Sequence, residues 1–300
     1  MKSNIKHYIF TASAVAAVAL LSPLCSSAQK FSLKPHVDIG VGNAMSLDSD
    51  ISDLSKSASN MDFGLDFGYT FWQLGGNRLE ANIGVGYSAT NLKLTAPSMS
   101  YSYDAPASAD EDGNTYVRHY QLSDMEQKVS LGYFTVPVYL TYGYRINKTV
   151  GVHADLGFKL GFKCGSSLKS VSGTASSYGV YPQYDNLMID APWLNGFGTT
   201  SLGDAARGDV SASGVYASLL VGAAVDVRIY GPLWFNAGIR YNCGFTNSFK
   251  QEYKGNAFTA ETAPVTYTVA GGQEVKPLTG YLSSSKLSPF SIHLGFDVRF

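Results

Sequence analysis

The C-terminal end of the chain alternates strictly between apolar and other residues, and few folds tolerate such a pattern. Counting back from the last residue, every second position is a large apolar side chain: Phe300, Val298, Phe296, Leu294, Ile292 and Phe290. Because successive side chains of a strand point to opposite faces, the segment is predicted to be a strand with one apolar face. About ten residues is the length that a tilted strand needs to cross a bilayer.

The same alternation recurs in seven earlier segments, at 31–41, 61–71, 79–87, 129–144, 150–162, 215–229 and 233–245. Three connections are tight, at 74–77, 145–149 and 230–232, and four are long, at 45–59, 95–128, 165–212 and 247–286. Short periplasmic turns alternating with long external loops are typical of outer-membrane barrels. We therefore predict an all-β fold, an eight-stranded antiparallel up-and-down transmembrane β-barrel with four long extracellular loops and both termini in the periplasm.

Some segments qualify this prediction. Residues 98–103 and 115–122 could continue strands three and four as a ribbon above the membrane, and residues 265–269 and 273–275 could form an extra hairpin around Gly271-Gly272. If these ribbons crossed the membrane, the strand count would be ten. In strand four, Val129, Leu131 and Tyr133 follow the opposite phase, which predicts a bulge near Tyr133-Phe134.

The N-terminus has the features of a secretory signal peptide. A basic start precedes a short apolar run at 9–21 and small residues at Ser26-Ser27-Ala28. We predict that residues 1–28 are cleaved and that residues 29–300 form the mature barrel domain. A lipoprotein alternative through Cys25 is disfavoured because bulky Leu24 precedes it.

The apolar faces hold too many large side chains to fill the interior of an eight-stranded barrel, so they are predicted to face lipid. The opposite faces then line the lumen, and their charges are expected to form an interlocking, structural ion-pair network that plugs it. Its predicted members are Lys34, Asp38, Asp62, Asp66, Glu80, Asp155, Lys159, Asp226, Arg228, Arg240, Asp297 and Arg299, with Arg78 and Lys163 in the same phase. The alternative is an ion or proton path along Asp38, Asp66, Asp155 and His153.

Signals for catalysis or metal binding are thin. His119 near Asp124 is the one loop histidine that could act as a general base. The acidic stretches 48–53 and 110–112 could hold Ca²⁺, but they lack the glycine and spacing of a calcium loop. We predict no catalytic residue, metal site or cofactor. The net charge of −1 argues against a nucleic-acid partner.

Residues 133–140, Tyr-Phe-Thr-Val-Pro-Val-Tyr-Leu, resemble the Tyr-Leu-x-Ile-Pro-Leu-x-Leu segment of the PorT-like outer-membrane β-barrel domain of Bacteroidetes. The stretches 151–161 and 238–241 also suit that group, and OmpA- and OmpX-like membrane domains share the architecture. The resemblance implies an eight-stranded barrel but no single activity. In addition, a terminal strand ending in Phe300 resembles the signal by which barrel-assembly machinery recognises such proteins for insertion.

The sequence thus predicts a non-enzymatic integral protein of the Gram-negative outer membrane. Its partners would be the membrane lipid, the assembly machinery during insertion, and an unidentified extracellular partner bound by the loops in adhesion or envelope integrity. The alternative is a narrow, porin-like channel or a secretion or transport accessory.

Overall fold

A computed structural model describes residues 30–49, 54–105, 107–191, 194–201, 210, 212–249, 267–268, 274–275 and 278–300. The predicted signal peptide and its cleavage site lie outside these residues. No helix among the described residues is long and apolar enough to cross a membrane.

Eight antiparallel strands form the main body. They are β1 (Phe31–Gly40), β2 (Ser55–Leu74), β3 (Asn77–Ala105), β4 (Tyr116–Arg145), β5 (Val150–Tyr181), β6 (Val215–Tyr230), β7 (Leu233–Gly244) and β8 (Phe290–Arg299). Each strand pairs with its neighbour in the chain, and β1 pairs with β8, so the sheet closes into a ring. The predicted eight-stranded up-and-down barrel is confirmed.

The connections divide the barrel into two ends. At the short-turn end, Gly75 and Gly231 adopt positive φ angles of 60° and 53°, which glycine reaches without steric cost. At the long-loop end the chain also forms short strands and 3₁₀ turns. The strands are Met45–Ser49, Leu187–Ile189, Gly198–Ser201, Tyr267–Thr268, Glu274–Val275 and Leu282–Leu287, and the turns are Ala107–Ala109, Pro182–Tyr184 and Leu278–Tyr281. Tyr267–Thr268 pairs with Glu274–Val275, as the predicted hairpin requires.

The barrel is much taller on one side than on the other. Strands β1 and β8 have 10 residues each, whereas β4 has 30 and β5 has 32. Most of the predicted loop 95–128 is therefore strand, and only residues 106–115 connect β3 to β4. We call residues 92–105, 116–133 and 163–181 the tall wall. At about 3.4 Å per residue, the β4 part of it extends about 60 Å along the strand.

The outer surface carries two bands of aromatic side chains. Phe63, Tyr87, Phe134 and Phe162 occupy directly paired positions on four successive strands, and all four are exposed. Near the short-turn end, Phe31 stacks on Phe67 and Phe300. Exposed Leu, Ile and Val side chains lie between the bands. Two aromatic girdles around an apolar belt are typical of a barrel wall that faces lipid.

Candidate functional site

The short-turn half of the barrel interior, which we call the lower lumen, is filled by ion pairs. Arg299 bonds Asp297 through Nε at 2.7 Å and lies 3.1 Å from Asp226 through a terminal nitrogen. Arg78 approaches both of these carboxylates at 3.5 Å and Glu80 at 3.6 Å. These side chains come from β3, β6 and β8, so the pairs connect strands that are not adjacent in the ring.

A second group of charges lies nearer the middle of the barrel. Arg240 of β7 bonds Asp155 at 3.1 Å and approaches Asp38 at 3.6 Å. The Tyr139 hydroxyl donates to Asp66 at 2.6 Å, and the Arg240 guanidinium lies over the Tyr139 ring. Each charged group thus meets a counter-charge or a hydroxyl donor, which buried charges require.

The remaining predicted charges sit at the margins of these groups. Lys159 pairs with Asp62 at 2.8 Å, farther toward the long-loop end. Lys34 contacts Glu80 and donates to the Asn82 side-chain oxygen at 2.8 Å. With these pairs, ten of the twelve predicted charges have an oppositely charged partner inside the barrel. Of the other two, Asp66 accepts from the Tyr139 hydroxyl, and Arg228 is exposed.

Glycines make room for these side chains. A Cβ atom on Gly64 would lie 2.5 Å from the His36 ring, and one on Gly161 would lie 1.9 Å from the Tyr216 ring. The glycine-rich inner face is therefore a packing requirement of the filled lumen.

Little empty space remains. A cavity of about 10 Å³, the size of one water molecule, lies among Lys34, His36, Asp66, Tyr139, His153 and Arg240. Toward the short turns, the buried Trp234 ring lies 4.3 Å from the Arg299 guanidinium carbon, with Arg145 at 5.6 Å. Sequence reasoning did not single out Trp234, although its phase on β7 placed it on the inner face.

Two residues that were predicted to face the lumen, Arg228 and Lys163, lie outside it. Arg228 is exposed and donates from Nε to the Gly231 carbonyl in the β6–β7 turn. Lys163 is exposed at the other end and donates to the Ala212 carbonyl. The reason is their position. Arg228 lies two residues before the end of β6, and Lys163 lies just past the Phe162–Val215 pair at which β6 begins. At both places a long side chain reaches solvent or backbone instead of a buried carboxylate.

The long-loop half of the interior, the upper core, is apolar. Its fully buried members include Leu92, Leu94, Leu122, Met125, Leu131, Tyr133, Phe249 and Leu278.

This apolar interior explains why the apolar residues of strand four change phase at Tyr133. Residues 129, 131, 133, 135 and 137 all point inward, so β4 does not change face at Tyr133. The phase of the apolar residues changes because the interior itself becomes apolar.

The predicted irregularity belongs to the neighbouring strand. Tyr133 pairs with Lys163, and Gly132 pairs with Gly165, so the extra residue is Cys164 of β5. Ser88 and Ala89 of β3 pair with Tyr133 and Gly132 without interruption. The prediction of a bulge in strand four is therefore wrong about the strand, because the extra residue is in β5. It is right about the position along the barrel, next to Tyr133.

Segments of the long loops cover the upper core. Strand Met45–Ser49 pairs with Leu282–Leu287, and Met45, Leu282 and Leu287 pack into the core. The buried Gln127 side-chain oxygen accepts from the Leu278 backbone N–H at 2.8 Å. These parts of the predicted surface loops are folded inward and seal the barrel.

The far end of the tall wall, which we call the tip (residues 107–114, 182–191 and 194–197), is braced by polar contacts. Asp110 accepts from Asn195 at 2.7 Å, from the Tyr181 hydroxyl at 2.8 Å and from the Asn114 backbone N–H at 3.0 Å. Burial raises the pKa of Asp110, but these hydrogen bonds outweigh it and lower the pKa to about 2. Behind them, Tyr116 packs against Tyr181 and edge-on against Phe197.

The tip also presents an apolar patch. Tyr184, Leu187 and Met188 are 53%, 50% and 63% exposed, although they lie beside the braced residues. Contiguous exposed apolar side chains on an ordered scaffold are typical of contact sites.

The weaker sequence candidates gain no support from the geometry. The His119 ring stacks on Tyr178 at 4.7 Å, and burial lowers its pKa. Among the described contacts, no carboxylate bonds that ring. The acidic stretch 48–53 is only partly described, and in the described chain no group of three His, Cys, Asp or Glu side chains could hold a metal ion. Cys164 and Cys243 are free.

Phe300 closes the seam of the barrel. Its backbone N–H and carbonyl exchange hydrogen bonds with Phe31 at 2.8 and 3.0 Å, and its ring faces lipid.

Comparison with known proteins gives one family. The model of the outer membrane protein β-barrel domain matches residues 27–250, about three quarters of the chain. A search of curated protein sequences gives no match.

Solved structures of outer-membrane proteins are similar over nearly the whole chain. Ail of Yersinia pestis, in complex with the heparin analogue sucrose octasulfate, is 9% identical, with 91% of this chain and 100% of that chain covered and a TM-score of 0.29. The translocator domain of the autotransporter NalP of Neisseria meningitidis is 11% identical (coverage 99% and 98%, TM-score 0.27). An outer membrane channel from Pseudomonas putida F1 is 5% identical (coverage 93% and 98%, TM-score 0.29).

Proposed function

The chain belongs to the family of outer membrane protein β-barrel domains, and on that premise we propose that it is a plugged, non-enzymatic barrel that binds a partner through the tip of its tall wall. The barrel would act as an anchor and the wall as a rigid stalk. Adhesion or envelope contact is the corresponding class of function.

One observation carries this proposal: the ordered part of the chain that extends farthest from the lipid-facing belt ends in exposed apolar side chains. Met188 is 63% exposed at a position paired with Val180 of the tall wall. The Asp110 contacts hold the tip in one arrangement, so little conformational entropy would be lost on binding. Apolar anchors surrounded by polar groups are typical of protein contact sites.

The filled interior supports an anchor instead of a channel. Ion pairs occupy the lower lumen, and a packed, mainly apolar core closes the other end. Steady conductance of the purified protein in planar bilayers would contradict this part of the proposal and favour a channel or transport accessory.

The proposal extends to how the chain is processed and how it is oriented in the membrane. We propose that residues 1–28 are the cleaved signal peptide, that the short turns and both termini face the periplasm, and that Phe300 is read by the assembly machinery. Membership of the PorT-like group of Bacteroidetes rests on residues 133–140 and remains part of the proposal.

The test compares two exposed apolar sites at opposite ends of the molecule. Vesicles that carry the wild-type protein would be scored for binding to immobilised extracellular proteins and to cultured cells. The double variant Leu187→Ser with Met188→Ser should lose at least tenfold in binding, because two anchors are worth about 1.4 kcal/mol or more. Ile146→Ser changes a residue of similar exposure, 56%, in a short turn and serves as the control.

Equal binding by the wild type and the tip variant would overturn the assignment of the tip. Asp110→Asn is a second test variant, because it weakens the hydrogen bonds from Tyr181 and Asn195 without changing the exposed patch. We expect it to weaken binding less than the double variant.

A further inference from the structure

The exposed charged side chains that the structure describes at the short-turn end of the barrel are all positive. They are Lys30, Arg145, Lys148 and Arg228. The three short turns, at 74–77, 145–149 and 230–232, contain no aspartate or glutamate. The carboxylate of Phe300 adds a negative charge at this end, but the surface as a whole remains basic.

The opposite end of the molecule has the reverse charge. At the tip, Glu111, Asp112, Asp185 and Asp190 are exposed, and its three segments contain no lysine or arginine. The chain has a net charge of −1, so the basic end is a local feature and not a consequence of a basic composition. Such a charge distribution attracts anionic ligands to the short-turn end and repels them from the tip.

Three arginines at the short-turn end surround one indole ring. The guanidinium carbons of Arg299, Arg145 and Arg228 lie 4.3, 5.6 and 6.0 Å from the centre of the Trp234 ring, which is 3% exposed. A guanidinium over an aromatic face is favourable, but like charges so close to one another repel. A bound anion would relieve this repulsion.

Only one of these three arginines is matched by carboxylates in the described part of the chain. Arg299 pairs with Asp297 at 2.7 Å and with Asp226 at 3.1 Å. Arg228 donates its Nε hydrogen to a turn carbonyl, and neither Arg228 nor Arg145 forms an ion pair with a described residue. Guanidinium groups with free N–H donors are the preferred protein partners of carboxylate and phosphate oxygens.

A small cavity lies beside these donors. Its volume is about 20 Å³, enough for a water molecule or one oxygen atom of a ligand. The carboxylate of Asp226 is part of the lining, but its charge is matched by Arg299 at 3.1 Å and Arg78 at 3.5 Å. Arg145 and Trp234 complete the polar side of the lining together with Gln73. The surroundings of the cavity are therefore suited to an anionic group.

The unmatched arginines face the mouth of the barrel and not the lipid. Arg145 follows the buried Gly143 at the next inward position of β4, and Arg228 follows the buried Asp226 in the same way on β6. Tyr144, of the opposite phase, is on the outer surface. Phosphates of membrane lipids surround the outer wall of a barrel, whereas a ligand of the mouth arrives from water along the barrel axis. A soluble partner therefore fits this position better than a lipid headgroup does.

We propose that the short-turn mouth is a docking site for an acidic peptide segment of a soluble protein, one carboxylate of which is bound by Arg145 and Arg228 beside Trp234. Lys30 and Lys148, exposed at the same end, would attract further carboxylates of the segment. Several cations spread over the mouth match a chain of carboxylates better than a single small anion, because each added charge pair increases the attraction. This inference is independent of what the tip binds.

The test measures binding of a fluorescently labelled oligo-aspartate peptide to the wild-type barrel in lipid nanodiscs, by fluorescence anisotropy. We expect saturable binding that weakens as salt is added. Arg145→Gln combined with Arg228→Gln should weaken binding at least about tenfold, because it removes the charge-assisted hydrogen bonds of the site. Lys93→Gln combined with Lys128→Gln removes the same charge from exposed lysines of the tall wall and should leave the affinity unchanged.

A conservative pair of substitutions separates a built site from general attraction. Arg145→Lys combined with Arg228→Lys keeps both charges but loses the planar fork of N–H donors and its stacking on Trp234. We expect an affinity between those of the wild type and the glutamine variant. An affinity equal to that of the wild type would contradict the role of the two guanidinium groups.

Other results would also overturn the proposal. Absence of saturable binding by the wild type, or equal binding by the wild type and the glutamine variant, would show that the mouth does not hold the peptide. Displacement of the peptide by inorganic phosphate or glycerol phosphate at concentrations equal to its own would assign the mouth to a small phosphate group. Arg145 and Arg228 are exposed, so the variants are expected to fold, and circular dichroism of each would verify this.

Discussion

The lower lumen and the upper core lie in the same barrel, but their contents hold them together differently. In the lower lumen, Arg240 connects Asp38 and Asp155 from two other strands. In the upper core, Leu94 and Leu131 gain stability from apolar area removed from water. The charged half depends on complete partner sets, whereas the apolar half depends on volume and shape.

The largest effect should follow from removal of one shared cation. Arg240→Met leaves Asp38 and Asp155 without their arginine, and loss of one partner of a buried pair costs about 3–5 kcal/mol. Urea unfolding in lipid vesicles would measure it. Arg228→Met, which alters an exposed arginine, should change stability by less than about 0.5 kcal/mol. Similar losses of unfolding free energy in the two variants would show that the ion pairs of Arg240 contribute no more to stability than an exposed arginine does.

A truncation in the upper core should cost somewhat less. Leu131→Ala removes a 1% exposed side chain and leaves a cavity, so we expect a loss of about 2–4 kcal/mol in the free energy of unfolding. Leu140→Ala on the lipid-facing surface leaves no enclosed cavity and should cost less. A Leu131→Ala loss no greater than that of Leu140→Ala would argue against a packed upper core.

The pair at the boundary between the two regions tests whether charge can be replaced by apolar volume. Lys159→Met combined with Asp62→Leu removes both partners of a 2.8 Å ion pair next to the apolar core. Such exchanges are often neutral or stabilising, so the double variant should lie within about 1 kcal/mol of the wild type. Lys159→Met alone should be clearly less stable. If the double variant were as unstable as Lys159→Met alone, the region that requires charged partners would include the Lys159–Asp62 pair.

The smallest effect belongs to an ion-pair group outside the barrel interior. Glu126 bonds Lys93 at 2.8 Å and Lys128 at 2.9 Å on the half-exposed face of the tall wall. Hydrogen bonds from Lys93 and Lys128 lower the Glu126 pKa, so its contribution exists above the ordinary glutamate pKa and is lost as pH falls through the lowered value. Glu126→Gln should cost about 0–1 kcal/mol and less at high salt. A loss as large as that of Arg240→Met would contradict the contrast between buried and exposed pairs.

Much of the barrel could be predicted because lipid and lumen impose opposite demands on alternate residues. The eight strands, the short turns and the outward Phe134–Val136–Val138 face follow directly from that alternation. The lumen positions of Asp38, Asp155 and Arg240 follow as well, although their pairing could not be predicted, since it depends on which strands face each other across the ring.

The upper core was missed because apolar residues on the inner face give the same local pattern as a bulge. The apolar residues on the inner face were Val129, Leu131 and Tyr133. The residues that cover them, such as Leu278, come from loops that are distant in the sequence. The height of the tall wall was underestimated for a related reason. Above the lipid belt the exposed positions are mostly polar, such as Lys93, Gln121 and Lys128, so residues 95–128 lack the large outward apolar side chains that mark the lipid-spanning segments.

The unequal strand lengths also have a consequence for the order of folding. The β4–β5 hairpin joins two strands of 30 and 32 residues through a short turn, so its pairing is local in sequence and costs little loop entropy. The seam between β1 and β8 is short, and His293 and Asp38, which bond across it, are 255 residues apart in the chain. Contacts of such separation form late and slowly. The long hairpin is therefore suited to form first and to serve as a template, and ring closure at the seam is expected to be the slow final step.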